Sequence, residues 1–312
     1  MTITQLQYVL AVAEYKNFTL AAEKCFVTQP TLSMQVQKLE EELDILIFDR
    51  GKKPISITEA GFKIVEQAKN IVNEAERIRD IVDQEKGFIG GEYTLGIIPT
   101  IMPTLLPMFL KTFINKYPKV NLIVKEQSTE SLIRNLQDGH LDGGIAATPL
   151  EIEFIRERPL YYEPFVGYVP ESHRLRGKDN LQPEDLEIND VLLLQDGHCF
   201  RDGVINLCKT SKEYKDEHFQ LHSGSFETLV NLSNEGLGMT LLPYLNTLEL
   251  DEKKKTNLKH FKNPPPAREV SLIYHKNELK IQITEALKEV ITSVVKGAIA
   301  FQDVQIISPL SK

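Results

Sequence analysis

The feature that most restricts this chain is a long amphipathic pattern that opens at Thr58-Glu59-Ala60-Gly61 and runs to about Lys86. Within it Ile64, Ala68, Ile71, Ala75, Ile78 and Val82 recur with spacing 4-3-4-3-4, the heptad seam of a helix that packs along another helix. Either the helix's own domain or a second copy of the chain can cover that stripe. The pattern divides the sequence into a short module, residues 1–58, a linker and dimerisation helix, 59–90, and a larger module, 91–312.

In the short module, Leu6, Val9, Leu10 and Ala13 predict a first helix over 4–15. Asn17-Phe18-Thr19 offers a break and a new N-cap before a second helix at about 19–25, whose Ala21-Ala22 pair permits close helix crossing. After the turn Phe26-Val27-Thr28, Thr28 caps a third helix, with Pro30 in the first turn, where its missing N–H is harmless. Leu32, Val36 and Leu39 form its buried stripe. The other face shows Gln29, Pro30, Thr31, Ser33, Met34, Gln37 and Lys38, with no acid among them. Such a face fits a DNA major groove; an ordinary exposed helix is the alternative. Residues 45–50 and 55–58 read as two short strands around Gly51-Lys52-Lys53-Pro54, a hairpin whose Arg50, Lys52 and Lys53 suit backbone phosphates.

Net charge does not select this function. The chain carries −8, and residues 1–58 hold six Lys/Arg against seven Asp/Glu. No apolar run approaches the ~18 residues needed to span a bilayer. The start Met-Thr-Ile-Thr-Gln lacks a basic leader, so a cytoplasmic protein without a membrane partner is expected.

The N-terminal helix-turn-helix, Ala21-Ala22, Gln29-Pro30-Thr31-Leu32-Ser33, Leu39-Glu40, Phe48-Asp49-Arg50 and Thr58-Glu59-Ala60-Gly61 together resemble the LysR-type transcriptional regulators. The resemblance covers the whole chain. It implies an α/β protein with an N-terminal winged helix-turn-helix, a long linker helix and a two-lobed effector domain of periplasmic-binding-protein type. The second lobe, about 164–266, would be inserted in the first. It also implies a homo-oligomer, a dimer of dimers, that binds promoter DNA and contacts RNA polymerase. One departure is the thin positive charge of the third helix, since many relatives carry arginines where Met34 and Gln37 stand.

Beyond a hinge at Phe88–Glu92, strands and helices alternate: strand 93–98, helix 103–116, strand 120–125, helix 128–139 and strand 143–147. Later come strands at 191–194, 239–242 and 269–274 and helices at 226–235 and 280–297, an α/β pattern with mainly parallel sheets. Ligands in such sheets bind beyond the strand C-terminal ends, where Thr100 and Thr129 lie. Each threonine taken alone reads as a cap.

Only three cysteines occur, and two flank one polar segment, His198-Cys199-Phe200-Arg201-Asp202 through Cys208. In a soluble intracellular protein an isolated pair points to redox or metal chemistry. A helix from Cys199 to Cys208 would hold their Cα atoms roughly 13 Å apart. A disulfide tolerates only about 7 Å, so joining them requires unwinding. Metal binding through Cys199, Cys208, His198 and His222 lacks any Cys-x-x-Cys or His-x-x-x-His spacing, so neither a metal nor another cofactor is expected. Cys25, beside Ala21, Ala22 and Phe26, reads as a small buried hydrophobe.

The segment His198–Cys208, with Thr100 and Thr129, is similar to the OxyR-type peroxide sensors within the LysR-type family. The resemblance implies Cys199 as the thiolate that attacks hydrogen peroxide and Cys208 as its resolving partner. Thr100, Thr129, His198, Asp202 and Arg268 would support the peroxide pocket, and a thioredoxin- or glutaredoxin-type protein would reduce the disulfide. Three alternatives stay open. The chain could be a LysR-type regulator whose Thr100 and Thr129 hold a small organic anion. A thiol peroxidase is opposed by the helix-turn-helix, and a solute-binding protein by the missing signal peptide.

Overall fold

The structure, a computed structural model, describes residues 1–85, 89–208, 223–299 and 304–310. The chain forms two compact units, Met1–Phe88 and Ile89–Lys312.

The first unit comprises α1 (Ile3–Tyr15), α2 (Phe18–Lys24), α3 (Gln29–Leu43), β1 (Phe48–Asp49), β2 (Ser56–Ile57) and α4 (Glu59–Glu85). Local chemistry sets its helix starts. Thr2 and Gln5 form a capping box on α1, Asn17 accepts the N–H groups of Thr19 and Leu20, and Thr28 accepts that of Thr31. Leu6, Val9, Val12, Ala21, Leu32, Val36, Leu39 and Phe48 meet Ala68 and Val72 of α4 in one core. Its own unit thus covers the first half of the α4 stripe. Further along, Ile78 is 66% exposed and Val82 44% exposed. Gly61 lets α4 start tight against the wing, because a Cβ there would lie 2.2 Å from the Ile47 carbonyl oxygen.

The turn between α2 and α3 is a Schellman motif. Phe26 N–H bonds the Glu23 carbonyl, and Val27 N–H bonds that of Ala22. Phe26 takes φ 55° in consequence. Glycine usually fills this position, and a side chain there costs about 1–2 kcal/mol.

The second unit begins with β3 (Gly91–Ile97), α5 (Met102–Lys116), β4 (Val120–Glu126), α6 (Thr129–Gln137), β5 (Gly143–Thr148) and β6 (Ile155–Tyr168). Next come α7 (Cys199–Leu207), α8 (Phe226–Asn234), β7 (Thr240–Pro243), α9 (Tyr244–Leu248) and α10 (Glu252–Lys255). It ends with β8 (Leu258–Lys259), β9 (Pro266–His275), α11 (Ile281–Val295) and β10 (Gln305–Ile306). The strand order is β4-β3-β5-β9-β6-β7, with β10 on β9 and β8 on β6.

Among the named strands of the described residues, β4, β3 and β5, together with β10 beside β9, pair in parallel. β9 runs antiparallel to β5 and β6, and β7 and β8 run antiparallel to β6. The expectation of mainly parallel sheets is therefore corrected. After α7 to α10 the chain returns as β9, which runs back alongside β6 and β5 in the opposite direction. The strand β6 is absent from the sequence reading because Pro159 and Pro164 interrupt it. Pro159 is accommodated at a register shift beside Tyr161. Residues 191–194 form a single bridge, Val191 with Met239, rather than a strand.

Two cores make the unit two-lobed. One gathers Leu95, Ile97, Phe109, Leu132, Ile145, Leu160, Leu272 and Leu287. The other gathers Phe165, Val169, Leu181, Leu193, Phe200, Val204, Met239 and Leu241. β6 contributes Leu160 to the first and Phe165 to the second, so the chain crosses between lobes within this strand.

Candidate functional site

The paired cysteines sit at the two ends of α7. His198 is the N-cap in extended backbone, Cys199 is the first helical residue, and Cys208 follows the last. Cys208 N–H returns to the carbonyls of Val204 and Ile205, closing the helix. Its Cα therefore stands roughly 13 Å from that of Cys199, against the about 7 Å a disulfide allows. Both thiols are free and buried. They are buried in different places: Cys199 packs in the core of the first lobe and Cys208 in that of the second. Phe200 anchors the helix to the second lobe, with ring centroids 5.1 Å from Phe165 and 5.0 Å from Phe226.

The expected residues fall into two groups, one at Cys199 and one around Arg268. The Thr129 hydroxyl, at the start of α6, donates to Cys199 Sγ at 3.4 Å. In the second group, buried Thr100 accepts from Arg268 through both Oγ1 and its carbonyl, each at 3.0 Å. Arg268 is itself buried and holds the Glu163 carboxylate through Nε at 2.9 Å and Nη2 at 2.7 Å. The second Glu163 oxygen accepts the Leu245 N–H at 2.9 Å. The Arg268 guanidinium also lies 5.3 Å from the Phe200 ring centre, which links this network to the residue adjoining Cys199.

Among the described residues, no hydrogen bond joins Arg268, His198 or Asp202 to Cys199. The Arg268 charge is met by Glu163. Burial lowers the pKa of His198, with Glu126 opposing, and the ring faces Gly224, where a Cβ would lie 2.9 Å from Nε2. Burial, aided by Asp196 and opposed by Arg201, raises the pKa of Asp202. Arg201 pins the loop before α7, reaching Asp196 at 2.9 Å and the Leu194 carbonyl at 3.1 Å. Burial, with Asp190 adding to it, pushes the Cys208 thiol up to about 12.

Sequence reasoning missed Glu163 and Phe200. An acid within the apolar run Leu160–Val166 was the available signal for Glu163, because a buried carboxylate demands a buried cation. No group of three or more metal-ligating side chains occurs among the described residues, and His222 lies outside them. Cys25 is half-buried against the first unit's core. Cavities of about 450 and 300 Å³ open on the second lobe around Asp251 and Lys254, and neither is lined by a cysteine. No helix among the described residues is long and apolar enough to cross a membrane.

In the first unit, Gln29, Pro30, Thr31, Met34, Gln37 and Lys38 are exposed and Ser33 is half-buried. Arg50 is tied back: it bonds buried Glu40 at 2.8 Å, reaches Ser33 Oγ at 3.4 Å and stacks 4.9 Å from the Phe18 ring centre. Glu40 also accepts the N–H groups of Ile47 at 2.8 Å and Phe48 at 3.1 Å, so it seats the wing on α3. The exposed wing tip carries Lys52, 3.6 Å from Asp49, and Lys53.

A helix-turn-helix unit joined to a two-lobed sensing unit defines the class, and comparison with known proteins places the chain within it. Residues 3–62 match the family described as bacterial regulatory helix-turn-helix protein, lysR family, and residues 86–296 match the LysR substrate binding domain. The DNA-binding transcriptional dual regulator OxyR of Escherichia coli K12 is 33% identical over 299 residues, 95% of this chain and 97% of that protein. A hydrogen peroxide-inducible genes activator of Pectobacterium carotovorum is 33% identical over 274 residues, 88% of this chain and 90% of that one. Among solved structures, full-length OxyR C199D from Pseudomonas aeruginosa superposes with a TM-score of 0.75 at 32% identity, covering 94% of this chain and 98% of that one. A hydrogen-peroxide-bound cysteine mutant of Corynebacterium glutamicum OxyR gives a TM-score of 0.61 at 29% identity, with 95% and 93% coverage. The chain belongs to the LysR family of bacterial regulators, and within it to the OxyR group of hydrogen peroxide-inducible genes activators. The family is one of regulators, not enzymes.

Proposed function

We infer that the chain is a cytoplasmic, DNA-binding transcription regulator that senses hydrogen peroxide through Cys199 and Cys208 and controls oxidative-stress genes. The observation that carries this reading is the asymmetry of the two thiols. A hydroxyl donates to the sulfur of Cys199, whereas burial keeps Cys208 protonated at neutral pH, at the far end of the same helix. Among the described residues, only the first has a hydrogen-bond donor aimed at its sulfur.

The Cys199 thiolate attacks one peroxide oxygen and the O–O bond breaks. Hydroxide leaves, takes up a proton as water, and the sulfur becomes a sulfenic acid. Cys208, deprotonated once α7 unwinds, then attacks that sulfur and expels a second water, leaving a disulfide. Two electrons from a thioredoxin- or glutaredoxin-type dithiol restore both thiols. Thr129 steadies the sulfur, Thr100 and Arg268 form the neighbouring polar wall, and His198 and Asp202 flank the helix start. Unwinding withdraws Phe200, Val204 and Leu207 from the second-lobe core and Phe200 from Arg268, so the two redox states favour different packings.

On DNA, the exposed face of α3 enters the major groove and the wing tip meets phosphates through Lys52 and Lys53, while Arg50, held by Glu40, seats the wing on α3. Ile78 and Val82 pair with a second copy, and pairs associate as a dimer of dimers that contacts RNA polymerase. The working division is residues 1–58 for DNA, 59–90 for dimerisation and 91–312 for sensing, with a second lobe of about 164–266. Titrating the reduced protein with peroxide tests the reading, with thiol mapping by mass spectrometry and footprinting on its own promoter DNA. A Cys199–Cys208 linkage at near-stoichiometric peroxide is expected, with an altered footprint; Cys208→Ser should stop at the sulfenic acid. Free thiols under excess peroxide would overturn it in favour of a metabolite-responsive regulator.

A further inference from the structure

We propose that Phe26 and Met34 form an apolar reading pair that contacts thymine methyl groups in the major groove, which rests on the DNA-binding reading above. Phe26 is 96% exposed and Met34 60% exposed. Phe26 occupies the left-handed position of the Schellman turn, φ 55°, where glycine would sit without strain. Its ring lies outside the core that the neighbouring helices build. Backbone strain and solvent exposure both oppose keeping a phenylalanine here, and among the described residues Phe26 takes no part in the unit's core. The gain therefore lies with a partner.

The surroundings specify the chemistry of that partner. From Cys25 to Leu39 there is no acidic residue, although the chain carries 44 Asp and Glu. Pro30 and Met34 stand one turn apart on the same exposed face of α3, flanked by Thr31, Gln37 and Lys38. Up to Lys38 this face alternates apolar groups with hydrogen-bonding ones and carries no acid; Glu41 enters only one turn further on, where it accepts from Gln37 at 2.9 Å. The stretch up to Lys38 complements a polyanion that alternates methyl groups with acceptors. In the major groove thymine alone offers a methyl beside an acceptor, O4. Phe26, in the turn just before α3, and Met34, on its exposed face, extend the readout beyond what Thr31 and Gln37 provide.

The experiment starts from duplexes that the full-length protein itself selects from a random pool. The tightest duplex is remade with deoxyuridine at single thymines, which removes the methyl and nothing else, and binding is followed by fluorescence anisotropy. The wild-type protein should bind at least one such duplex about fourfold more weakly, the effect of one buried methyl. Phe26→Gly should lose at least as much on the thymine duplex and become indifferent to that methyl. Its melting temperature should hold or rise, because the strain is relieved while binding weakens. Met34→Ala should behave likewise at a neighbouring thymine. The proposal is overturned if Phe26→Gly binds the selected duplex within about twofold of wild type, or loses affinity equally with and without the methyl. If the pool yields no enriched duplex, the DNA-binding reading itself falls and takes this proposal with it.

Discussion

Gly203 offers a direct measure of how far the redox switch depends on unwinding α7. It lies in the middle of that helix, and a Cβ built there meets only Phe165, at 3.5 Å, an ordinary contact. Gly203→Ala therefore fits the reduced helix and favours it over an unwound segment by about 0.8–1 kcal/mol. The disulfide form cannot keep that gain, since sites roughly 13 Å apart along the intact helix must approach within about 7 Å. For a two-electron couple 1.4 kcal/mol corresponds to about 30 mV, so the reduction potential should rise by about 20 mV, making the disulfide easier to reduce. If the helix opens before Cys208 reaches the sulfenic acid, the resolving step slows about fivefold. Sulfenic acid formation should keep its rate, because the Thr129–Cys199 contact is untouched. Equilibration in dithiothreitol buffers with alkylation and mass spectrometry gives the potential, and rapid quenching gives the rates. A potential unchanged within about 5 mV, in a variant whose reduced form melts higher, would refute the unwinding argument.

Three further outcomes are expected. Thr129→Val keeps the shape of the residue but removes the donor to Cys199, and should slow sulfenic acid formation about tenfold at unchanged melting temperature, read by stopped flow. Glu163→Gln leaves the buried Arg268 charge without a counter-charge and should cost about 3 kcal/mol in urea unfolding of the reduced protein; a loss below about 1 kcal/mol would contradict the pairing. Burial, with Asp142 adding to it, raises Glu278 from its ordinary value of 4.5 to about 7 against the opposing Lys280. The folded form thus holds a proton that the unfolded chain releases, so the stability is present below pH 4.5 and lost as pH rises toward 7. Glu278→Gln should flatten that decline, about 2 kcal/mol after solvent screening, in unfolding titrations at several pH values.

Much of the fold is legible in the chain because its signals are local. Caps at Asn17 and Thr28 start helices where the sequence places them, and the stripe Leu32, Val36, Leu39 faces the core as its period requires. The helix α7, considered in the sequence only as a condition on the cysteine pair, begins at Cys199 and ends at Leu207 with Cys208 as its C-cap. Antiparallel β6 was not legible, because its two prolines break the local pattern while pairing with β9 and β7 restores it.

The same division runs through the site. By itself the sequence placed Cys199 and Cys208 too far apart for a disulfide if one helix joins them, and the structure supplies that helix. The sequence likewise determined an exposed face on α3 that carries no acid from Gln29 to Lys38. Tertiary structure alone decided that the two thiols enter different cores, that Thr129 reaches Cys199, and that Arg268 is held by Glu163, 105 residues away. It also decided that Arg50 is clamped by Glu40 rather than free at the wing. Burial and charge pairing depend on which distant segments share a small volume, and no local pattern in the chain records that.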